Sequence, residues 1–117
     1  MDCIFCKIIN KEISAEVVYE DSDIFAFRDI KPIAPVHILI IPKEHISTID
    51  DLKEYHQALA GKMILVAQKL ARELGTAGMG YKLLFRVKHY GGQEIDHLHL
   101  HLIGGAKLAE KIYPMNE

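Results

Sequence analysis

The chain has no tryptophan, only two cysteines and four prolines, and no apolar run long enough to cross a bilayer. Each shortage removes a class of protein. Two cysteines three residues apart, in Cys3-Ile4-Phe5-Cys6, do not make the disulfide framework of a small secreted domain. Cationic excess is missing too. The formal net charge is −2 and the isoelectric point is near 6.4, which excludes the polybasic signature of a protein that grips a nucleic-acid polymer but leaves a single nucleotide open. The start of the chain has no basic segment followed by a long apolar stretch, so no signal peptide is expected, and the expected setting is cytoplasmic, away from membranes. Three serines, none in a nucleophile-elbow setting, give no serine-centred hydrolase.

What is present is half hydrophobic, with mean hydropathy +0.07 over 117 residues, enough for one domain (1–117) with a core of its own. β-formers at Val17–Glu20 and Ile24–Arg28 flank Asp21-Ser22-Asp23 and predict a hairpin. The prolines of Lys31-Pro32-Ile33-Ala34-Pro35 dictate a loop, and Val36–Ile41 reads as a buried strand closed by Pro42. Leu52, Tyr55, Leu59, Met63, Val66, Leu70 and Leu74 recur every three or four residues, which predicts a core-covering helix from about Leu52 to Leu74 capped by Asp50 or Asp51. Gly75, Gly78 and Gly80 end it, Tyr81–Val87 predicts another strand, and Gly91-Gly92 a loop. A short helical turn is expected at 7–12. The order predicts an α+β fold on an antiparallel sheet.

His97-Leu98-His99-Leu100-His101-Leu102-Ile103 alternates strictly, a strand pattern that puts three imidazoles on one face and three leucines in the core. One metal ion held by all three is excluded by spacing. Same-face neighbours stand about 7 Å apart and the outer pair about 13 Å, against metal–nitrogen bonds of roughly 2.1 Å. Nucleophilic and acid–base chemistry fits better, with His99 attacking an electrophile such as phosphorus through one nitrogen while the other is held, and His101 stabilising or protonating the same group. His56 and His89 read as surface residues. The CxxC pair suggests half of a zinc site or a redox pair; with no strand ahead of it, the redox alternative is the weaker.

These residues resemble the histidine-triad (HIT) signature, and Gly91-Gly92-Gln93-Glu94 is similar to the Hint branch of that family. Ile4-Phe5-Cys6-Lys7-Ile8-Ile9, Phe27-Arg28-Asp29-Ile30, the run from Pro35 to Ile46 and the closing Gly104-Gly105 fall in family order. The resemblance implies a five-stranded antiparallel sheet with one long and one short helix, paired across a homodimer. It implies binding of purine nucleoside monophosphates and cleavage of nucleoside phosphoramidates through a nucleotidyl-histidine, with no cofactor needed for catalysis. By position His99 is the nucleophile, oriented by the carbonyl of His97; His101 and Gln93 contact the phosphate; Asp29 binds ribose hydroxyls; Phe5, Ile8, Ile13 and Ile30 make the base slot; and His37 supports the triad. Some bacterial relatives bind structural zinc, which carries over to Cys3, Cys6, His45 and His97.

Two positions depart from the pattern. Arg86 stands where the family has asparagine, and Lys88 where glycine is usual. Arg86 can pair with a phosphate, and the two cations together suggest tighter nucleotide binding with slower turnover. The competing functions are therefore a nucleotide-binding or regulatory protein with weak catalysis, a dinucleoside polyphosphate hydrolase, and a zinc-stabilised interaction module.

Overall fold

Strands β1 (Val17–Glu20) and β2 (Ile24–Arg28) form the expected hairpin, because Asp21 builds the turn itself. Its carboxylate accepts from the backbone N–H of Asp23 and of Ile24, both at 2.8 Å. The computed structural model describes residues 3–116. β3 (Val36–Pro42) pairs with β2, then β5 (Leu100–Gly104) with β3, and β4 (Tyr81–Leu84) with β5, all antiparallel, in the order β1-β2-β3-β5-β4.

Both faces of this sheet are covered, so the central strands are buried along nearly their whole length. On one face Ile24, Ala26, Ile38, Ile40, Leu100 and Leu102 pack under helix α2 (Gln57–Glu73), which contributes Met63, Val66, Ala67, Leu70 and Ala71. On the other, Phe25, Phe27, Leu39 and Ile41 lie under Cys3, Phe5 and Ile8 of the segment carrying α1 (Ile4–Ile9). The histidine face of β5 belongs to this second side, since His101 pairs with Leu39.

Four boundaries differ from the sequence reading, the starts of α1, α2 and β5 and the end of β4. α1 begins inside the CxxC rather than after it, with Cys3 as its N-cap: the Cys3 sulfur accepts from the N–H of Cys6. α2 starts at Gln57 instead of Leu52, because local side-chain bonds win over the helix. Thr48, not an aspartate, caps a 3₁₀ turn at Ile49–Asp51, with the Asp51 carboxylate closing the box, and a second 3₁₀ turn follows at Glu54–His56. Tyr55 is accordingly 78% exposed and outside the apolar stripe. β5 starts at Leu100, not His97. The pairing Ile40–Leu100 would continue to Pro42–Leu98, but Pro42 has no N–H, and Leu98 instead donates to the carbonyl of Ile46. β4 ends at Leu84, and the loop beyond it contains a second short helix, α3 (Lys88–Gly91). Lys88, standing where glycine is usual, takes φ +58, so a glycine-like conformation is carried there by lysine. His56 is buried, not on the surface; it accepts from the N–H of Lys53 and meets Glu44 at 3.1 Å.

Candidate active site

His97, His99 and His101 are all buried. The Nδ1–H of His99 donates to the carbonyl oxygen of His97 at 2.6 Å. A carbonyl can only accept, so the proton sits on Nδ1 and the lone pair of Nε2 is left for chemistry. Phe5 meets the ring edge-on, 5.2 Å between centroids. Burial lowers the pKa of His99, so the ring is neutral, as a nucleophile must be.

The tautomer of His101 follows from a chain of bonds. The N–H of Ile33 donates to His37 Nδ1 at 3.3 Å, which puts the His37 proton on Nε2. That Nε2–H faces His101 Nδ1 at 3.0 Å and lies 3.5 Å from a carboxylate oxygen of Asp29. His101 therefore carries its proton on Nε2, a buried atom with no partner among the described residues. Its ring lies 4.9 Å from that of His99. Burial, then the neighbouring His99, His37 and Arg86, pulls the His101 pKa down to about 3; burial lowers that of His37 as well. Ligand atoms of Asp29, His37 and His101 lie within 4.8 Å of one another, but a nitrogen that donates its proton is not a metal ligand, so the trio reads as a proton path.

Gln93 sits close by with its amide already committed. Its NH₂ donates to the carbonyls of Ser47 and Ile95, at 2.7 and 2.9 Å, and its oxygen accepts from the N–H of Lys88. It clasps the Lys88–Gln93 turn, and a bond from it to phosphate requires exchanging one of these. The Lys88 ammonium pairs with Asp50 at 2.8 Å. Arg86 is exposed, and has no hydrogen-bonded or ion-paired partner among the described residues.

Beside the triad, Cys3, Cys6, His45 and His97 converge, their ligand atoms all within 4.8 Å. His97 Nδ1 is 3.3 Å from the Cys3 sulfur and 3.7 Å from that of Cys6, which lies 3.4 Å from His45 Nδ1. Edges of a tetrahedral Cys₂His₂ zinc site are about 3.3–3.8 Å. The Nε2–H of His97 donates to the Pro42 carbonyl at 2.8 Å, which aims Nδ1 at the sulfurs, the outer bond that metal-binding histidines make. Burial, then the Cys3 thiol, pushes the Cys6 thiol up to about 11. Ser47, absent from the sequence reading, approaches His45 Nε2 at 3.5 Å and holds Gln93 by its carbonyl, so it joins this cluster to the turn. Its only signal is the spacing Lys43-x-His45-x-Ser47.

The apolar residues are placed unequally. Ile8 and Ile13 line a 250 Å³ cleft with Lys11, Ser14 and Phe25, and Phe5 lies between Phe27 and His99. Ile30, next to Asp29, is 94% exposed and does not line that cleft. A larger groove of 430 Å³ beside α2 contains none of the expected residues, and its Lys43, Lys62, Asp23, Glu44 and His56 are paired with neighbours.

The family model described as HIT domain matches residues 10–108. The chain belongs to the HIT domain family. The HIT chain is 48% identical over 107 residues to a purine nucleoside phosphoramidase of Escherichia coli K12, covering 92% of this chain and 90% of the relative. Among solved structures it is similar to a HIT family hydrolase of Legionella pneumophila, with 51% identity, TM-score 0.90, and 92% and 96% of the two chains covered. It is also similar to a histidine triad protein of Clostridium difficile, with 40% identity, TM-score 0.92, and 96% and 97% covered. The HIT fold, a five-stranded antiparallel sheet with one long helix, is thus shared along nearly the whole chain.

Proposed function

We propose that the protein hydrolyses the phosphorus–nitrogen bond of purine nucleoside phosphoramidates through a nucleotidyl-histidine at His99. The observation that carries this reading is the His99 ring, neutral, with Nδ1 tied to its own strand and Nε2 available. The name of the Escherichia coli relative supports the substrate class. His99 Nε2 forms a bond to phosphorus as the phosphorus–nitrogen bond breaks. The leaving nitrogen takes the Nε2 proton of His101; His37 hands its Nε2 proton to His101 Nδ1 and regains one from solvent past the half-buried Asp29. Water then displaces His99 and gives its surplus proton to His101 Nε2. The path runs backwards, His37 losing its Nε2 proton to solvent and taking that of His101 Nδ1, so one proton is consumed, one is released and both tautomers are restored. Asp29 accepts from the ribose hydroxyls, Phe5, Ile8, Ile13 and Ile30 flank the purine, and Arg86 stands by the phosphate side. The test is AMP release from adenosine 5′-phosphoramidate. Wild type is expected to turn over and His99→Ala to be inactive, with an acid-quenched nucleotidyl adduct only in the wild type. An inactive wild type overturns the reading.

Binding with weak catalysis is the second reading, favoured by the committed amide of Gln93. Calorimetry with AMP beside the same assay separates the two: it is supported by binding without turnover.

Zinc fits Cys3, Cys6, His45 and His97, all four positions being protein ligands, so that it serves structure and supplies no reacting group. Metal analysis of untagged protein is expected to give one zinc per chain. A homodimer is supported by the outer edge of β4, which has no strand beside it among the described residues, and by exposed Ile64 and Leu65 on α2. Light scattering is expected to give twice the mass of one chain.

A further inference from the structure

The substrate must cross the second face of the sheet from one flank to the other. Asp29 follows β2, and Phe5 and Phe27 lie over that side, so the nucleoside flank is β2–β3. His99 and His101 occupy the middle, on or just before β5. The opposite flank is β4 and the loop beyond it. There Leu84 pairs with His101, the last pair of that ladder, and Arg86 follows two residues on, near enough for its charge to act on both His99 and His101.

The root of Arg86 is fixed. The turn after it is held by the bond from Gln93 N–H to the Lys88 carbonyl, by the Gln93 amide, and by the Lys88–Asp50 pair. Arg86 also lies against Gly92, where an added Cβ would stand 3.7 Å from its Cδ. Lys88 spends its charge on Asp50, which leaves Arg86 as the unpaired cation of this loop among the described residues. Its charge reaches His37, His99 and His101, where it opposes protonation, while Asp29 and Glu94 favour it at His99.

Exposure decides what Arg86 meets. The reacting phosphorus has to lie on the buried histidines, each 7% exposed for His99 and His101. Arg86 is exposed, above that floor and on the flank away from the nucleoside. The part of a phosphoramidate that extends there is the leaving amine.

We propose that Arg86 selects phosphoramidates whose leaving amine carries an oxyanion, a carboxylate or a phosphate, a few bonds beyond the scissile nitrogen. A guanidinium holds either anion by paired N–H donors. The proposal rests on the phosphoramidase reading. It is tested with adenosine 5′-phosphoramidates of glycine, of glycinamide (nearly the same shape without the charge), of O-phosphoethanolamine and of ethanolamine. In the wild type kcat/KM is expected to favour each anionic amine over its neutral partner by about tenfold, the effect of one charge-assisted contact. In Arg86→Asn both ratios are expected to fall to about one, and in Arg86→Lys to be kept in part. The larger of the two wild-type ratios tells carboxylate from phosphate. Ratios of one in an active wild type overturn the proposal alone, as does an Arg86→Asn loss equal for charged and neutral amines. No turnover of any of the four by the wild type overturns the phosphoramidase reading itself.

Discussion

His101 and His37 are separated by function although both are buried neutral imidazoles. His37 uses both nitrogens inside the protein, on Ile33 and on His101, whereas His101 has one hydrogen left over, buried beside His99. A group positioned like that is suited to protonate a leaving nitrogen. His101→Ala is therefore expected to lower kcat by about 10²–10⁴-fold, the usual weight of a general acid. His37→Ala is expected to cost less and to change the shape of the pH–rate profile, since His101 then chooses its tautomer without a donor at Nδ1. Steady-state kinetics across pH checks both; equal losses with unchanged profiles would show that the two rings only fill space. The nucleophile was legible in the sequence because alternation alone puts three histidines on one face. The role of Gln93 was not, since one of the bonds that commit its amide goes to the carbonyl of Ser47, 46 residues earlier in the chain.

The glycine just past the end of β5 carries a constraint of its own. Gly105 follows β5 with φ +87, and a Cβ there would stand 2.9 Å from the Pro35 side chain, just before β3 begins. Gly105→Ala is expected to destabilise by roughly 1–3 kcal/mol, measured by chemical denaturation. β3 agrees with the sequence reading to within one residue, and β1 and β2, whose turn is built from their own aspartate, agree with it throughout. The elements that shifted did so through partners distant in sequence or through competing side-chain bonds. β5 loses its first three residues to Pro42, and α2 loses its first turn to the caps of Thr48 and His56. In α1, Cys3 is both a cap and a member of the Cys/His cluster. Cys3→Ser and Cys6→Ser are expected to lose the metal on chelator-free dialysis and to lower Tm, while retaining more AMP release than His99→Ala; full zinc content in both would refute the ligand set.

For the whole molecule, burial of neutral imidazoles links stability to pH. In the unfolded chain a histidine takes up a proton near pH 6.5. In the folded protein His101 does so only at about 3, and His37 below its ordinary value. Between those values the unfolded state binds more protons, so the stabilisation is complete above about pH 6.5 and is lost as the pH falls toward 3. Thermal unfolding from pH 8 to 4 is expected to show a plateau and then a decline beginning near 6.5, and the decline should be shallower in His101→Asn. A Tm that rises on acidification would reverse this sign. No helix among the described residues is long and apolar enough to cross a membrane, and the charge is spread in surface pairs.

His97 faces two ways: its ring meets the two sulfurs while its carbonyl fixes the proton of His99. Cys3 precedes it by 94 residues, so on the ribosome Cys3 and Cys6 meet His45 as a neighbour well before His97 exists. The alignment of the nucleophile thus waits for the segment that carries His97 and His99, and a nascent chain released before it has no means of attacking a nucleotide.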